Sequence, residues 1–229
     1  MAITTPIRYY RLGDLTDELG GTSLTQSGTV SHSNNTYPGV NNSGTYGASF
    51  TGASNYLPGP NYDIGGGNFS FSLWFETDQI NEATTERCAF IITNGSDQYV
   101  QVSQNDADQM RILWNDSSGN ITQTTTVAAN TWYHIVGTAD GTNVKMYLNG
   151  SLIDTDLLAE PTGTTSFNIG RHTTDATGRY FKGHIGEVGI WNVALSPTEV
   201  TDLYAAGAGV SYPFPVGSGG IDRGYAYIM

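Results

Sequence analysis

Hydrophobic and polar residues alternate along much of the chain, in short segments separated by turn residues. The clearest segment is 68–76, in which four apolar side chains share one face: Phe69, Phe71, Leu73 and Phe75. Alternation with a period of two predicts a β-strand that buries one face. Similar patterns predict further strands at 7–12, 48–50, 56–58, 89–93, 99–103, 110–114, 121–126, 132–138, 143–148, 166–169 and 183–191. The pattern therefore predicts an all-β protein.

Two dipeptides indicate how neighbouring strands connect. Asp140-Gly141 and Asn149-Gly150 each separate two predicted strands. Both dipeptides accept the positive φ angles of tight hairpin turns. Since two such turns occur within about ten residues, we expect an antiparallel meander here.

One segment, 195–207, has the pattern of a short helix instead. Ser196 is a suitable N-cap, Pro197 occupies the first helical position, and Glu199 completes a capping box. Gly207 is a typical helix stop. One side of this helix is apolar, with Val200, Leu203 and Tyr204. We therefore expect a helix of three turns docked on the edge or rim of a sheet.

Length and composition fit a single β-sandwich domain. The chain has 229 residues, of which 13% are charged and 29 are glycine, and its formal net charge is −12. All-β domains often reach about 200–250 residues. Because phosphate backbones and anionic lipid surfaces attract clustered lysine and arginine, nucleic acids and membranes are not expected partners. The single cysteine, Cys88, allows no internal disulfide and reads as a core residue.

The start of the chain carries no pattern of a secretory signal. Residues 1–6 lack a basic region and an apolar stretch, and no window has the 18 apolar residues of a membrane helix. We therefore expect synthesis in a host cytoplasm.

The second half of the chain carries a more specific combination of motifs. It contains Trp132-Tyr133-His134, then the Asp140-Gly141 turn, the Tyr147–Gly150 hairpin, and the closing segment 183–196. This combination resembles the laminin-G-like, concanavalin A-like jelly-roll family, and the likeness extends over residues 7 to 207. The resemblance implies a two-sheet antiparallel jelly-roll sandwich with one short C-terminal helix. We assign residues 1–207 to this domain and residues 208–229 to a C-terminal arm.

The family includes enzymes, and their activity depends on pairs of carboxylates. Retaining glucanases of this fold carry two carboxylates about 5 Å apart on one strand. The nearest candidate is the 76–82 segment, with Glu76, Asp78 and Glu82, but it has one residue too many. Its third acid would lie in a loop. We therefore expect a non-catalytic protein.

The resemblance also raises the question of a structural calcium ion. Asp14, Asp17 and Glu18 could supply carboxylate oxygens, which calcium prefers. In the closing motif, however, Gly186 stands where the family usually has aspartate. No cofactor is expected, and a structural calcium ion stays open as an alternative.

A sugar-binding function needs an exposed aromatic ring with polar groups beside it. Trp74 lies on the face opposite the apolar one, so it is the first candidate for ligand contact. The other tryptophans, Trp114, Trp132 and Trp191, could also serve. A polar loop could face a ligand or solvent and contains Arg171, His172, Asp175 and Arg179.

The C-terminal arm is the feature that a lone sandwich explains least. It carries two prolines and the aromatic residues Tyr212, Phe214, Tyr225 and Tyr227, which would be anchors at an interface. With this arm, few lysines and an acidic surface rich in Ser, Thr and Asn, the chain resembles tailed-phage virion proteins, and the resemblance implies a protein of the virion surface. We therefore expect a capsid decoration or cement protein that contacts capsid or other virion proteins, with self-association as a further option. The alternative is a carbohydrate-binding module or adhesin that recognises glycans.

Overall fold

The structure is a computed structural model, which describes residues 2–32, 47–63, 68–78, 86–94, 98–105, 107, 109–116, 119–157, 164–173 and 179–215. Its strands form two antiparallel sheets of seven strands each. Sheet I contains β1 (Arg8–Tyr10), β2 (Ala48–Thr51), β5 (Phe69–Thr77), β10 (Trp132–Ala139), β11 (Asn143–Leu148), β12 (Ser151–Leu157) and β14 (Lys182–Trp191). Sheet II contains β3 (Leu57–Pro58), β4 (Tyr62–Asp63), β6 (Arg87–Thr93), β7 (Tyr99–Gln104), β8 (Gln109–Asp116), β9 (Gly119–Thr126) and β13 (Thr164–Ile169).

The strand order is that of a jelly roll. Sheet I runs β1-β14-β5-β10-β11-β12, and β2 pairs with β14 beside β1. Sheet II runs β3-β13-β6-β7-β8-β9, and β4 also pairs with β13. Neighbours in these orders are often far apart in sequence, as in jelly rolls, where strands from distant parts of the chain pair. The predicted fold class is confirmed.

The strand β12 was missed by the sequence pattern. Nearly all of its residues are exposed, and Leu152, Ile153 and Leu157 are large apolar residues facing solvent. Alternation marks a strand only when one face is buried, so the pattern gave no signal here. The Asn149-Gly150 turn, with φ angles of 50° and 76°, was the available sign that a second strand follows β11.

The main core lies between the inner faces of the two sheets. The four apolar residues of β5 point into it, where Phe71 contacts Phe90 and Trp114 from sheet II at ring distances of 5.4 and 6.1 Å. Gly137 of β10 lies directly beside this cluster, since a Cβ there would come within 2.4 Å of the Phe71 ring. The core therefore requires the absence of a side chain at this position.

A second apolar layer covers the outer face of sheet I. The helix α1 (Pro197–Tyr204) begins with the expected capping box between Ser196 and Glu199. Its buried residues Val200 and Leu203 join a cluster completed by Val136, Tyr147, Trp191 and Leu195. The central part of sheet I is therefore covered on both faces. In the part of the chain that the structure describes, no helix is long and apolar enough to cross a membrane.

The close contact at Gly137 predicts that adding a single methyl group there lowers the stability of the fold. Gly137→Ala would push against Phe71 and Trp114, and overpacking of this kind costs about 1–3 kcal/mol. We expect that loss in the free energy of unfolding measured with denaturant. Gly47→Ala is the matched control, because its nearest neighbour, the Ile185 carbonyl oxygen, is at an ordinary 3.5 Å. Equal losses in both variants would contradict the packing argument.

Candidate functional site

Trp74 lies on the outer face of β5, as the alternation predicted, but it is not exposed. Its relative exposure is 3%, because Tyr204 of the helix stacks on it at 5.8 Å and His134 lies at 5.0 Å. The expectation that Trp74 offers an open platform to a sugar is therefore wrong. Strand alternation identifies the face of a residue, whereas only the docked helix determines whether that face meets solvent.

His134 completes the packing around Trp74. Its ring is buried, and Nε2 lies 2.7 Å from the hydroxyl of Ser72 on the neighbouring strand. Burial lowers the pKa of His134 to about 3, so the ring is neutral at physiological pH. Trp74, His134 and Tyr204 are therefore parts of a packed layer.

Trp132 is the tryptophan that keeps contact with solvent. Trp114 and Trp191 are 0% exposed, whereas Trp132 is only half-buried at the start of β10. In the sheet register Trp132 is opposite Glu76 of β5, and Glu76 is opposite His184 of β14. The three side chains therefore form a row across sheet I, beyond the layer around Trp74.

The two rings of this row lie close together, and one of them contacts the carboxylate. The rings of Trp132 and His184 are 6.1 Å apart, and Nδ1 of His184 lies 3.4 Å from Oε2 of Glu76. An apolar ring beside hydrogen-bonding groups is the combination that binds one face of a sugar and its hydroxyls. We call Trp132, Glu76 and His184 the tryptophan row.

The side chains of the acidic segment 76–82 make separate contacts in the structure. Glu76 belongs to the tryptophan row, and Asp78 lies 3.6 Å from Nζ of Lys182. Thr77 points the other way and donates to Gln104 at 3.0 Å. Glu82 lies outside the described residues.

Sheet II carries a separate polar cluster around Glu86, just before β6. One carboxylate oxygen accepts hydrogen bonds from Arg111 at 2.6 Å and from Ser103 at 2.5 Å, and the other accepts from Arg179 at 2.8 Å. Gln101 also donates to Glu86. Partial burial raises the pKa of Glu86, but the hydrogen bonds from Arg111 and Ser103 outweigh it and hold the pKa below its ordinary value.

The polar loop predicted from the sequence is fastened to sheet II through this cluster and through aromatic contacts. Arg171 lies over the rings of Tyr56 and Tyr180, at 4.8 and 5.4 Å. His172 is buried edge-on against Tyr99, at a ring distance of 6.2 Å. Asp175 lies outside the described residues. The described polar residues of this loop, Arg171, His172 and Arg179, therefore make contacts within the domain.

The three acids that could supply calcium ligands contact backbone amides and neighbouring arginine side chains instead. Asp17 is buried, accepts from the backbone nitrogens of Tyr9 and Leu19, and pairs with Arg8. Asp14 accepts from a loop amide, and Glu18 lies 3.5 Å from Arg11. Among the residues described above, no group of three His, Cys, Asp or Glu side chains could hold a metal ion.

The first part of the C-terminal arm lies against its own domain. Tyr212 and Phe214 pack on Tyr9 of β1 at ring distances of 5.9 and 5.6 Å, and Phe214 also stacks on Trp191 at 6.4 Å. Both side chains remain half-buried. We call residues 208–215 the strap. Tyr225 and Tyr227 lie outside the described residues, so their role as anchors stays a prediction.

Glu187 of β14 binds the strap from the side of sheet I. A register shift in β14 gives Glu187 a φ of 53° and turns its carboxyl toward the outer face. There it accepts hydrogen bonds from Tyr9 at 2.6 Å and from Ser211 of the strap at 2.7 Å. Burial raises its pKa to about 7, against the opposing effect of these bonds and of Arg11.

A comparison with known protein families identifies the family of this fold. The profile of the family Laminin_G_3, described as the concanavalin A-like lectin/glucanases superfamily, matches residues 50–201. The chain belongs to this superfamily. No curated protein matches the chain.

Several solved structures share the fold. Domain 4 of AbnA, a GH43 extracellular arabinanase from Geobacillus stearothermophilus solved in complex with arabinotriose, has a TM-score of 0.71 and 21% identity over 87% of this chain and 98% of its own. The receptor-binding domain of botulinum neurotoxin mosaic serotype C/D has a TM-score of 0.68 and 13% identity, over 88% of this chain and 50% of its own. A botulinum neurotoxin type C structure, whose study links cell entry to two ganglioside molecules, has a TM-score of 0.66 and 14% identity, over 88% and 51%. The chain thus spans about half the length of these toxin structures.

The buried carboxyl of Glu187 predicts a loss of stability at high pH. Because its pKa in the folded chain is raised from 4.5 to about 7, the stabilisation from its proton is complete below the ordinary value and is lost as the pH rises through about 7. Glu187→Gln carries no charge to bury and should be more stable than the parent at about pH 8, by about 1–2 kcal/mol. Denaturant unfolding at several pH values measures this difference.

The matched control for this prediction is Asp154→Asn. Asp154 is exposed on β12, at the opposite edge of sheet I from the strap, so this variant should lose stability with rising pH as the parent does. If Glu187→Gln declines with pH as steeply as the parent, Glu187 is not the titrating group.

Proposed function

We propose that this protein is a non-catalytic glycan-binding module, and that the tryptophan row contacts the sugar. The observation that carries the proposal is the position of Trp132. Among the four tryptophans, it is the one that is not buried, and it lies beside the carboxylate of Glu76 and the imidazole of His184. A sugar ring stacked on Trp132 would place its hydroxyls within reach of these groups.

The chemistry of the row favours sugar hydroxyls over charged groups. The Glu76 carboxylate accepts hydrogen bonds, and the His184 ring can donate or accept. The chain has a net charge of −12, which disfavours polyanionic glycans at long range. We therefore infer a neutral sugar as the main ligand.

The structural relatives support a binding role of this kind. One of them was solved with arabinotriose, and another concerns ganglioside-dependent cell entry. At 21% identity or lower these relatives share the fold with this chain, so the particular sugar has to come from experiment.

A second candidate function places the protein on a virus particle, as a decoration or cement protein that contacts capsid proteins. The half-exposed Tyr212 and Phe214 of the strap, on a surface otherwise rich in Ser, Thr and Asn, favour protein contacts. Glycan binding would fit such a location, since an adhesin can be carried by a virion. Antibodies against the chain should then label intact particles from the producing cells, and unlabelled particles would contradict this location.

The glycan proposal predicts a specific loss on substitution of Trp132. The parent chain should show saturable binding to neutral glycans on an array, and Trp132→Ala should weaken the best hit by about 10- to 100-fold, as loss of a central aromatic contact costs about 1.4–2.7 kcal/mol. Because Trp132 is only half-buried, circular dichroism should show an intact fold.

Two controls distinguish an error in the proposed site from an error in the proposed function. Leu157→Ala removes an exposed apolar side chain from β12 and should leave binding unchanged. If Trp132→Ala binds like the parent, sugar binding occurs elsewhere, with the Glu86 cluster of sheet II as the next region to substitute. If a folded parent chain binds no glycan, the function itself is wrong.

A further inference from the structure

The strap is attached to the domain like a peptide bound to a receptor. Its contacts come from Tyr9 and Arg11 near one edge of sheet I and from Glu187 and Trp191 of β14, which together we call the strap seat. Tyr9 donates to the carbonyl of Val210 at 3.3 Å, Arg11 donates to that of Tyr212, and Glu187 accepts from Ser211 at 2.7 Å. Phe214 stacks on Trp191 with an interplanar angle of 12°. Because no covalent bond fixes the strap in the seat, an identical strap from elsewhere could make the same contacts.

The hinge between the helix and the strap is strained. Ala205, Ala206, Gly207 and Gly209 have φ angles of 47°, 54°, 90° and 64°. Glycine adopts such angles without cost, whereas alanine does not, because its Cβ crowds the following carbonyl group. Ala205 caps the helix, so the avoidable strain lies at Ala206. If the hinge straightened, this strain would be released, and the backbone hydrogen bonds from Gly209 to the Tyr204 carbonyl and from Val210 to the Leu203 carbonyl would be broken.

Straightening the hinge would carry the strap away from its own domain. The eleven residues from 205 to 215 span at most roughly 35 Å when extended, which is enough to reach a neighbouring molecule. We propose that the strap exchanges between two copies of this chain, so that each strap occupies the seat of the other copy in a symmetric dimer. Short hinges under strain favour such exchange, and both seats are then filled by native contacts.

The proposal concerns an interface and is independent of the glycan site. Neither the hinge nor the seat includes a residue of the tryptophan row. Failure of the glycan proposal therefore leaves the exchange unaffected, and failure of the exchange leaves glycan binding unaffected.

Opposite substitutions at Ala206 test the exchange, because this residue is exposed and makes no contact in the seat. Ala206→Gly removes the strain from the closed hinge and should weaken dimerisation by about fivefold per hinge, on the order of 25-fold per dimer. Ala206→Pro cannot adopt a positive φ and should increase the dimer fraction. Size-exclusion chromatography with light scattering, over protein concentrations from about 1 μM to 1 mM, measures the monomer–dimer equilibrium of the full chain.

A third variant shows whether the strap itself forms the dimer. Phe214→Ala removes the ring that stacks on Trp191 and should lower the dimer fraction of Ala206→Pro, whose strap cannot close on its own domain. Circular dichroism checks that each variant is folded. The proposal is overturned if Ala206→Pro is monomeric at every concentration, if the two Ala206 variants behave alike, or if removal of the Phe214 ring leaves the dimer fraction of Ala206→Pro unchanged.

Discussion

The covering of the central part of sheet I on both faces is the constraint on which the rest of the structure depends. Its inner face packs against sheet II through the phenylalanines of β5. Its outer face also carries apolar side chains, including Val136, Tyr147 and Trp191, which would be costly to leave in water. The helix and the strap cover them. The C-terminal segment is thus part of the fold as well as a candidate for interactions.

This cover divides the outer face into a closed and an open region. The helix places Tyr204 on Trp74 and thereby removes Trp74 and His134 from solvent. The tryptophan row lies beyond it and keeps Trp132 half-buried. One strand therefore carries both covered and partly open positions, since Trp74 is buried whereas Glu76, two positions further along β5, is only half-buried.

Glu187 shows how one polar group can link the layers. The register shift of β14 turns its carboxyl out of the sheet, where Tyr9 and Ser211 donate to it. Burial of a carboxyl is unfavourable unless hydrogen bonds compensate, and here they come from two separate segments of the chain. The strap is therefore held by the carboxyl of Glu187, for which burial favours the neutral, protonated form.

The sequence by itself determined the fold class, most strands, both hairpin turns and the capped helix, because each depends on local alternation, turn residues or capping chemistry. The strand β12 escaped detection because it has no buried face. The choice between Trp74 and Trp132 could not be made from sequence, since both occupy the same face of sheet I and differ only in what lies above them. Likewise, the sequence predicted that Tyr212 and Phe214 make aromatic contacts. Only the tertiary structure showed that these contacts are with Tyr9 and Trp191. Local patterns specify which face a side chain takes, and contacts between segments distant in sequence decide whether that face meets water.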